Sequence, residues 1–481
     1  MDDVWYKGTV EEAFVESKTS NKPLFLYWGA VWCPPCNEIK SEVYSKPKFG
    51  QLMKQFIPVY LDGDTDRAQI WADKLNAYGY PTILVLSHDQ KELLRLSGGV
   101  NLQEFEIALA GIQNSSLESL IAKAKAGTLD RDGWNTLAYT AWGQLPKDTY
   151  TPEKKWQIQE SLISKVPSEF ELESSMIAAQ FLEAAIGLDE KTHKSDITKV
   201  KGQAADYLER IFKNKKTIIA NRGFVNGGIV TVLSWAFPKK SSSDYKAWRK
   251  RWLEAASMIA NSSDVSVDTR LWAAYPKLQL FQYENKDKDL DSGIVSHIET
   301  AALKANDEAK TKYERHSVVS GAAYLLKLVK SYKNAEKILL EELKQTDTPW
   351  YYQSSLSSLA SSQDKKEEAL KWSAEARKSA KGRATRLQWI TNDLLLTAKV
   401  KSDSQKSRLL SLTEEYYQLA TTLNDGFAGR NQFRAIRVSK SLQDWKKQKE
   451  FKSLLTTYQK KCDALKGSAK NNCIAHFRDL L

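Results

Sequence analysis

The sequence of 481 residues is poor in cysteine and histidine and contains no long apolar run. Four cysteines and five scattered histidines are too few for a disulfide-dense small fold, and they argue against a structural zinc module. The longest apolar stretch, residues 229–237, is interrupted by Thr231 and Ser234 and stopped by Pro238. A helix that crosses a bilayer needs about 20 apolar residues. The sequence therefore predicts no transmembrane segment.

Composition and charge indicate a globular protein with two unlike parts. With 42% hydrophobic and 27% charged residues the chain is typical of folded proteins, and its length suffices for about three domains. Residues 1–112 carry 11 Lys and Arg against 15 Asp and Glu, whereas the remainder carries 60 against 44. In the second part lysines alternate with glutamates at helical spacing, as in residues 365–371, which indicates a solvated helical surface. A nucleic-acid partner is therefore not expected, while an acidic protein or an anionic membrane surface stays open.

The first residues carry no recognisable leader. Residues 1–4 lack the basic and apolar segments of a secretory signal peptide. The protein is then either cytoplasmic, or periplasmic or otherwise extracytoplasmic with a leader that is absent from this chain.

Residues 1–112 alternate short apolar runs with amphipathic segments, which predicts a first domain of the α/β class. The predicted elements are helices over residues 9–18, 34–54, 66–77 and 102–112 and strands over residues 23–28, 56–61, 82–86 and 92–96.

From residue 113 onward the strand signal almost disappears. Amphipathic segments separated by turn clusters predict an all-helical region over residues 113–481, built as a solenoid or a bundle of helical hairpins. A break near residues 240–300 would divide it into two subdomains. Over about residues 315–380 the spacing of small and aromatic residues resembles tetratricopeptide repeats. Ala335 and Ala369, for example, lie one 34-residue period apart.

One motif carries chemistry, Trp32-Cys33-Pro34-Pro35-Cys36, which follows a predicted strand and opens a helix. Two cysteines at this spacing can close a disulfide within one helical turn, with the first sulfur at the helix N-terminus. The helix dipole and backbone N–H groups stabilise a thiolate there, and the thiolate is the attacking species in disulfide exchange. A zinc site would need a second Cys or His pair close by, and copper would need His or Met. No metal or cofactor is therefore predicted.

Residues 4–112 resemble the thioredoxin family. The matching landmarks, in order, are Trp28, Trp32, Cys33, Cys36, Asp62 and Tyr80-Pro81-Thr82. The resemblance implies a thioredoxin fold in which the proline at position 81 is cis and faces the active disulfide. It also implies that Cys33 and Cys36 are catalytic and that Trp32 shields them. In the family, the residue at the position of Tyr80 offers backbone groups to an extended substrate, as in strand addition.

The sequence departs from the family pattern in two ways. The buried acid that assists the resolving cysteine falls on Leu26, which leaves Glu38, on the active-site helix, as a candidate substitute. Pro34 and Pro35 remove the two backbone N–H groups nearest to the Cys33 sulfur. A thiolate with fewer donors is less stabilised, which favours a reductant or exchanger over a strong oxidant.

A second cysteine pair lies close to the end of the chain. Cys462 and Cys473 would be about 16 Å apart on one continuous helix, too far for a disulfide. The sequence Gly467-Ser468 interrupts the helical pattern, so a helical hairpin could join them. The interpretation is a structural disulfide, which would imply an oxidising compartment, with two buried thiols as the alternative.

The remaining unusual residues are given structural interpretations. Most tryptophans of the helical region are predicted to pack in its core, and the glycine-rich residues 222–228 to form a connecting loop. The five histidines show no catalytic or metal-ligating spacing and are assigned no role.

The function predicted from these residues is that of a thiol–disulfide oxidoreductase acting on protein disulfides. Cys33 would be the nucleophile and Cys36 the resolving thiol, while Trp32, Tyr80 and Pro81 bind substrate. A thiol protein would donate or accept the electrons, and the helical region would recruit partners. The alternative is a helical scaffold or chaperone-like binding protein whose thioredoxin-like domain serves for docking.

Overall fold

The computed structural model describes residues 4–110, 112, 115–286, 288–400 and 403–481. It confirms the predicted class, an α/β fold followed by a large all-helical region. Within these ranges, no helix combines the length and hydrophobicity that spanning a bilayer requires.

The chain forms two compact units, and each combines part of the α/β region with part of the helical region. The first unit comprises Met1–Tyr27, Cys33–Tyr60 and Tyr80–Ser331. The second comprises Trp28–Trp32, Leu61–Gly79 and Tyr332–Leu481.

The α/β region contains a four-stranded sheet in the order β2-β1-β3-β4. The strands are β1 (Leu24–Gly29), β2 (Ile57–Asp62), β3 (Thr82–Leu86) and β4 (Glu92–Leu96). Its helices are α1 (Val10–Ser20), α2 (Pro34–Ile39), α3 (Pro47–Met53), α4 (Asp66–Lys74) and α5 (Leu102–Ala110).

The helical region of the first unit runs from α6 to α17. These helices are α6 (Leu117–Ala126), α7 (Arg131–Tyr139), α8 (Pro152–Lys165), α9 (Glu171–Ile186), α10 (Lys194–Ile211), α11 (Lys215–Ala220), α12 (Arg222–Ala236), α13 (Ser243–Ala260), α14 (Val267–Trp272), α15 (Tyr275–Glu284), α16 (Ser292–Glu308) and α17 (Lys312–Leu328).

The helical region of the second unit runs from α18 to α25. These helices are α18 (Tyr332–Leu343), α19 (Pro349–Ser362), α20 (Lys366–Ser379), α21 (Arg383–Val400), α22 (Lys406–Ala420), α23 (Gly429–Ser441), α24 (Lys449–Gln459) and α25 (Gly467–Leu480).

The inner strands of the sheet are buried because structure covers both faces, and one edge of the sheet is covered as well. Every residue of β1 and β3 is buried, as expected for strands packed on two sides. β4 is one of the two edge strands and pairs antiparallel with β3, with Ile83 opposite Leu96. The backbone N–H of Ala141, after α7, donates to the Arg95 carbonyl of this edge at 2.8 Å. The helical region of the first unit thus covers an otherwise open strand.

The helix predicted over residues 34–54 is divided into three segments. α2 passes into a π-helical turn over Lys40–Tyr44, and α3 begins anew at Pro47. A proline inside a helix removes a backbone donor and clashes with the preceding turn, whereas it fits the first helical position. The single-helix prediction was wrong because it overlooked Pro47.

The second unit ends in a core that contains the C-terminal cysteines. α21–α25 pack around Tyr417, Phe451 and Phe477, with Cys462 and Cys473 buried among them. The two cysteines form the predicted disulfide, with Cα atoms 5.6 Å apart. Gly467, at a φ of +54°, provides the turn that brings α25 back toward Cys462.

We expect removal of this disulfide to destabilise the second unit. The variant Cys462→Ala/Cys473→Ala frees a loop of about 12 residues in the unfolded chain, at a cost of about 2–3 kcal/mol in the free energy of unfolding. Denaturant unfolding of both proteins, with and without a thiol reductant, measures the difference. Reductant should lower the stability of the wild-type protein and leave the variant unchanged; an equal response of both would contradict this prediction.

A second stability prediction concerns Asp425, which is buried in the second unit. Burial, and then the nearby carboxylate of Asp73, raises the pKa of Asp425 to about 6. A carboxyl whose pKa is raised on folding destabilises the folded state as the pH rises through that value. Asp425→Asn should therefore stabilise the protein by about 1–2 kcal/mol at pH 7.5, with a smaller gain near pH 4.5. Melting temperatures at the two pH values measure this, and an equal gain at both would refute it.

Candidate active site

The first cysteine of the motif lies where a helix begins. Cys33 is the N-cap of α2, Pro34 and Pro35 occupy its first two positions, and Cys36 follows in the same turn. Asn37 donates to the Cys33 carbonyl from its backbone N–H at 3.0 Å and from its side-chain amide at 2.9 Å. Cys33 is 4% exposed and Cys36 is fully buried. Of the two cysteines, the one at the helix start is therefore the more exposed.

The predicted substrate loop lies beside this helix in the first unit. The peptide bond between Tyr80 and Pro81 is cis. A Cβ atom on Gly98 would lie 3.1 Å from the Pro81 ring and 3.3 Å from the Pro35 carbonyl oxygen, so the three residues are in close contact and a side chain at position 98 would crowd them. Gln144, after α7, donates from its amide to the Pro81 carbonyl at 3.2 Å. Residues of the α/β and helical regions together therefore hold the loop around Pro81.

Phenol groups, rather than an acid, surround the resolving cysteine. Leu26 is fully buried, and its neighbour Tyr27 packs against Tyr44 with ring centroids 4.9 Å apart. Burial, and then proximity to Cys36, raises the pKa of both tyrosines far above the usual value. Their hydroxyls make no hydrogen bond to any residue that the structure describes. Both phenols are thus neutral at physiological pH.

The carboxylate of Glu38, one helical turn beyond Pro35, is held by the helical region of the first unit. It accepts hydrogen bonds from the hydroxyls of Ser266 and, at 3.2 Å, Thr269, at the beginning of α14. Asp268, on the same turn, lies close enough to Glu38 for the two charges to interact. Burial, and then the charge of Glu38, raises the pKa of Asp268 well above its usual value. Two acidic side chains thus lie together beside the active-site helix.

A buried ion pair fixes the loop that contains Gly98. The guanidinium of Arg222, at the start of α12, donates to both carboxylate oxygens of Glu104 on α5. It also donates to the carbonyl of Gly99, which has a φ of +82°, and to that of Ile219. Burial disfavours the charge of Arg222, but Glu104 outweighs this effect and raises its pKa. The prediction of a connecting loop over residues 222–228 was wrong, since this stretch begins α12.

These residues enclose a cleft of about 540 Å³ in the first unit. Glu38 and the loop from Ser97 to Val100 line one side, and residues of α7, α9, α12 and α14 line the other. The cleft therefore adjoins Gly98, which contacts both Pro35 and Pro81.

Trp32 belongs to the second unit. Its indole N–H donates to Asp64 at 3.1 Å and to the Thr385 hydroxyl at 3.3 Å. Its ring stacks on Tyr351 at 5.7 Å and meets Trp389 edge-on at 6.2 Å. Only 8% of Trp32 is exposed. Helices α19 and α21 of the helical region thus bury the indole that was predicted to shield the cysteines.

The sequence predicts that Cys33, Cys36 and Pro81 lie close together, but it does not predict several residues of the helical region that line the surroundings of this site. Arg222, Asp268 and Gln144 come from the helical region, and no motif marks them. Gly98 could have been noticed, because a Gly-Gly pair after a strand often marks a close backbone approach.

Comparison with known proteins agrees with this geometry. Residues 10–113 match the family model described as a thioredoxin-like domain. The chain therefore carries a redox-related thioredoxin fold at its N-terminus, followed by a large helical region. Among curated proteins it is similar to "Thioredoxin Asp f 28" of Aspergillus fumigatus, with 28% identity over 95 residues, which cover 20% of this chain and 82% of that protein.

Proposed function

We propose that the protein is a thiol–disulfide oxidoreductase that acts on protein disulfides through Cys33 and Cys36. The observation that carries the proposal is that Cys33 is the N-cap of α2. Pro35 of the same helix and Pro81 both lie close to Gly98. An attacking thiolate at a helix start, next to a substrate-binding loop, is what disulfide exchange requires.

The reaction transfers two electrons from the cysteine pair to the substrate. The Cys33 thiolate attacks one sulfur of the substrate disulfide, forms a mixed disulfide and expels the other sulfur as a thiolate, which takes up a proton. The Cys36 thiolate then attacks the Cys33 sulfur and releases the second substrate thiol. The substrate is reduced, Cys33 and Cys36 become a disulfide, and a thiol donor protein restores them by the reverse sequence.

Two features favour a reductant or exchanger over a strong oxidant. Pro34 and Pro35 leave the first helical turn with fewer N–H donors for the Cys33 thiolate. Leu26 supplies no acid near Cys36, and the neighbouring phenols of Tyr27 and Tyr44 are neutral. A less stabilised thiolate lowers the tendency of the pair to remain reduced.

The helical region is proposed to recruit partners, and the compartment is proposed to be oxidising. The Cys462–Cys473 disulfide supports a periplasmic or other extracytoplasmic location. The net excess of basic residues after residue 112 supports acidic partners, whose association electrostatic attraction would accelerate.

Stoichiometric exchange by the full-length protein tests the proposal. The reduced protein is mixed with one equivalent of a peptide that contains a disulfide, and the products are quantified by mass spectrometry after acid quenching. We expect one peptide dithiol and one Cys33–Cys36 disulfide per protein, with the Cys462–Cys473 peptide unchanged. Persistence of both thiols after prolonged incubation would refute the oxidoreductase function.

A docking role for the α/β region is the second candidate, and the burial of Trp32 favours it. An indole held by Asp64, Thr385 and Tyr351 is not available to a substrate. If docking is the function, Cys33→Ser should leave partner binding intact in a pull-down under reducing conditions, with no exchange detectable in the wild-type protein.

A further inference from the structure

The cleft beside α2 offers hydrogen-bond acceptors and negative charge to whatever enters it. Its polar wall includes the carboxylates of Glu38 and Asp268 and the side-chain amides of Asn226 and Gln180. At about 540 Å³, it lies in the size range of sites that bind small groups.

The two amides present their oxygen atoms without a donor. Asn226 donates from its amide nitrogen to the Thr269 carbonyl at 3.1 Å, and Gln180 donates to the Ala138 carbonyl at 2.6 Å. These bonds orient each amide nitrogen toward a carbonyl. The opposite atoms, Asn226 Oδ1 and Gln180 Oε1, are buried and accept no hydrogen bond from any part of the chain that the structure describes. A buried acceptor without a donor is costly, so these oxygens suit a ligand that donates.

Several donors around the cleft are already used within the protein. The Thr269 hydroxyl donates to Glu38. The four terminal N–H groups of Arg222 are directed to Glu104, Gly99 and Ile219. These donors are therefore not available to a ligand, whereas the carboxylates and the two amide oxygens can still accept hydrogen bonds.

The charges of the cleft also favour a ligand that donates hydrogen bonds, and in particular a cation. In the described ranges, no lysine or arginine forms an ion pair with Glu38 or Asp268. Arg222 makes no ion pair with Glu38 either, but the charge of Glu38 contributes to its raised pKa. Burial, and then repulsion from the Glu38 carboxylate, raises the pKa of Asp268. A cation between them would relieve that repulsion. The Trp272 and Tyr275 rings, at 5.8 Å from each other, offer apolar surface to the alkyl part of such a ligand.

We infer that this cleft binds a lysine or arginine side chain of the protein substrate, close in sequence to the cysteine that Cys33 attacks. The inference rests on the proposed function and adds a substrate class to it. The cleft is continuous with Gly98, which contacts both Pro35 and Pro81, so a side chain in it belongs to the substrate segment held by the Pro81 loop.

Matched peptide disulfides test the inference with the full-length reduced protein. One peptide carries lysine within four residues of its cysteine, and its partner carries norleucine at the same position, which keeps the alkyl chain and removes the charge. We expect the second-order rate constant for reduction of the lysine peptide to exceed that for the norleucine peptide by about tenfold, the effect of one well-placed charged hydrogen bond. The double variant Glu38→Gln/Asp268→Asn should reduce this ratio to less than about twofold.

The control variant is Glu106→Gln, which removes one negative charge on α5, where Glu106 pairs with Lys48 outside the cleft. It should keep the tenfold ratio, and circular dichroism should show that all variants are folded. Equal rates for the two peptides in the wild-type protein, or an unchanged ratio in the double variant, would overturn the inference while leaving the proposed function intact. Failure of the wild-type protein to reduce either peptide would overturn both.

Discussion

Replacing Cys33 with serine should abolish disulfide exchange by the full-length protein, with a loss of at least about 1000-fold in the rate of peptide reduction. A serine hydroxyl in this position is far less acidic than a thiol, so no nucleophile forms at neutral pH. Stopped-flow measurement of thiol release provides the rate. Residual exchange at the wild-type rate would show that another thiol carries the reaction.

Replacing Cys36 with serine should have the opposite outcome, the accumulation of mixed disulfides. Cys33 can still attack, but without the resolving thiol the covalent complex is not released. Gel electrophoresis without reductant measures the trapped species. The variant Cys36→Ser/Cys462→Ala/Cys473→Ala is the matched control and should trap as well as Cys36→Ser alone, because the C-terminal cysteines form a disulfide in a separate core. Equal trapping by Cys33→Ser would contradict the assignment of nucleophile and resolving thiol.

Replacing Arg222 with methionine should cause a large loss of stability, about 3–5 kcal/mol in the free energy of unfolding. The side chains of Arg222 and Glu104 are each only 11% exposed, so the variant leaves a buried carboxylate without its cation. Gly99 also loses a hydrogen bond, which should loosen the Gly98 loop beside Pro81 and slow exchange. Denaturant unfolding and the peptide-reduction rate measure the two effects.

Two further variants compare the contribution of a buried ion pair to stability with that of a surface ion pair. Glu104→Gln/Arg222→Met removes both charges and should be less destabilised than Arg222→Met alone, since no unpaired charge remains. Lys213→Met breaks the exposed pair with Glu171 and should cost less than about 1 kcal/mol. If all three variants lose the same stability, the ion pair is not the cause.

The local elements of the α/β region were predictable because their signals are local. The strands over residues 82–86 and 92–96 were predicted with the bounds that the structure has, and Thr9 caps α1 just where an N-cap residue precedes an amphipathic run. Cys33 and Cys36 were recognised because their spacing alone places both in the first turn of a helix.

The surroundings of the site were not predictable, because they depend on distant residues. Glu104 is 118 residues from Arg222, and Glu38 is 228 residues from Ser266. Three glycines lower the helix propensity of residues 222–228, yet the segment is helical because Arg222 and Phe224 are buried by tertiary packing. The hydrophobic periodicity of a single segment does not indicate which distant residues will contact it.

The hydrogen bond from Trp32 to Thr385 has a consequence for the order in which the protein is made. The two residues are 353 positions apart, so the ribosome completes the active-site motif long before it reaches Thr385. At typical elongation rates of about 5–20 residues per second, the delay is roughly 20–70 seconds. Throughout that interval the nascent chain carries Cys33 and Cys36 without the helices that bury the neighbouring indole. We therefore expect the Trp32 indole to lack its contacts with Tyr351, Thr385 and Trp389 until α19 and α21 have emerged.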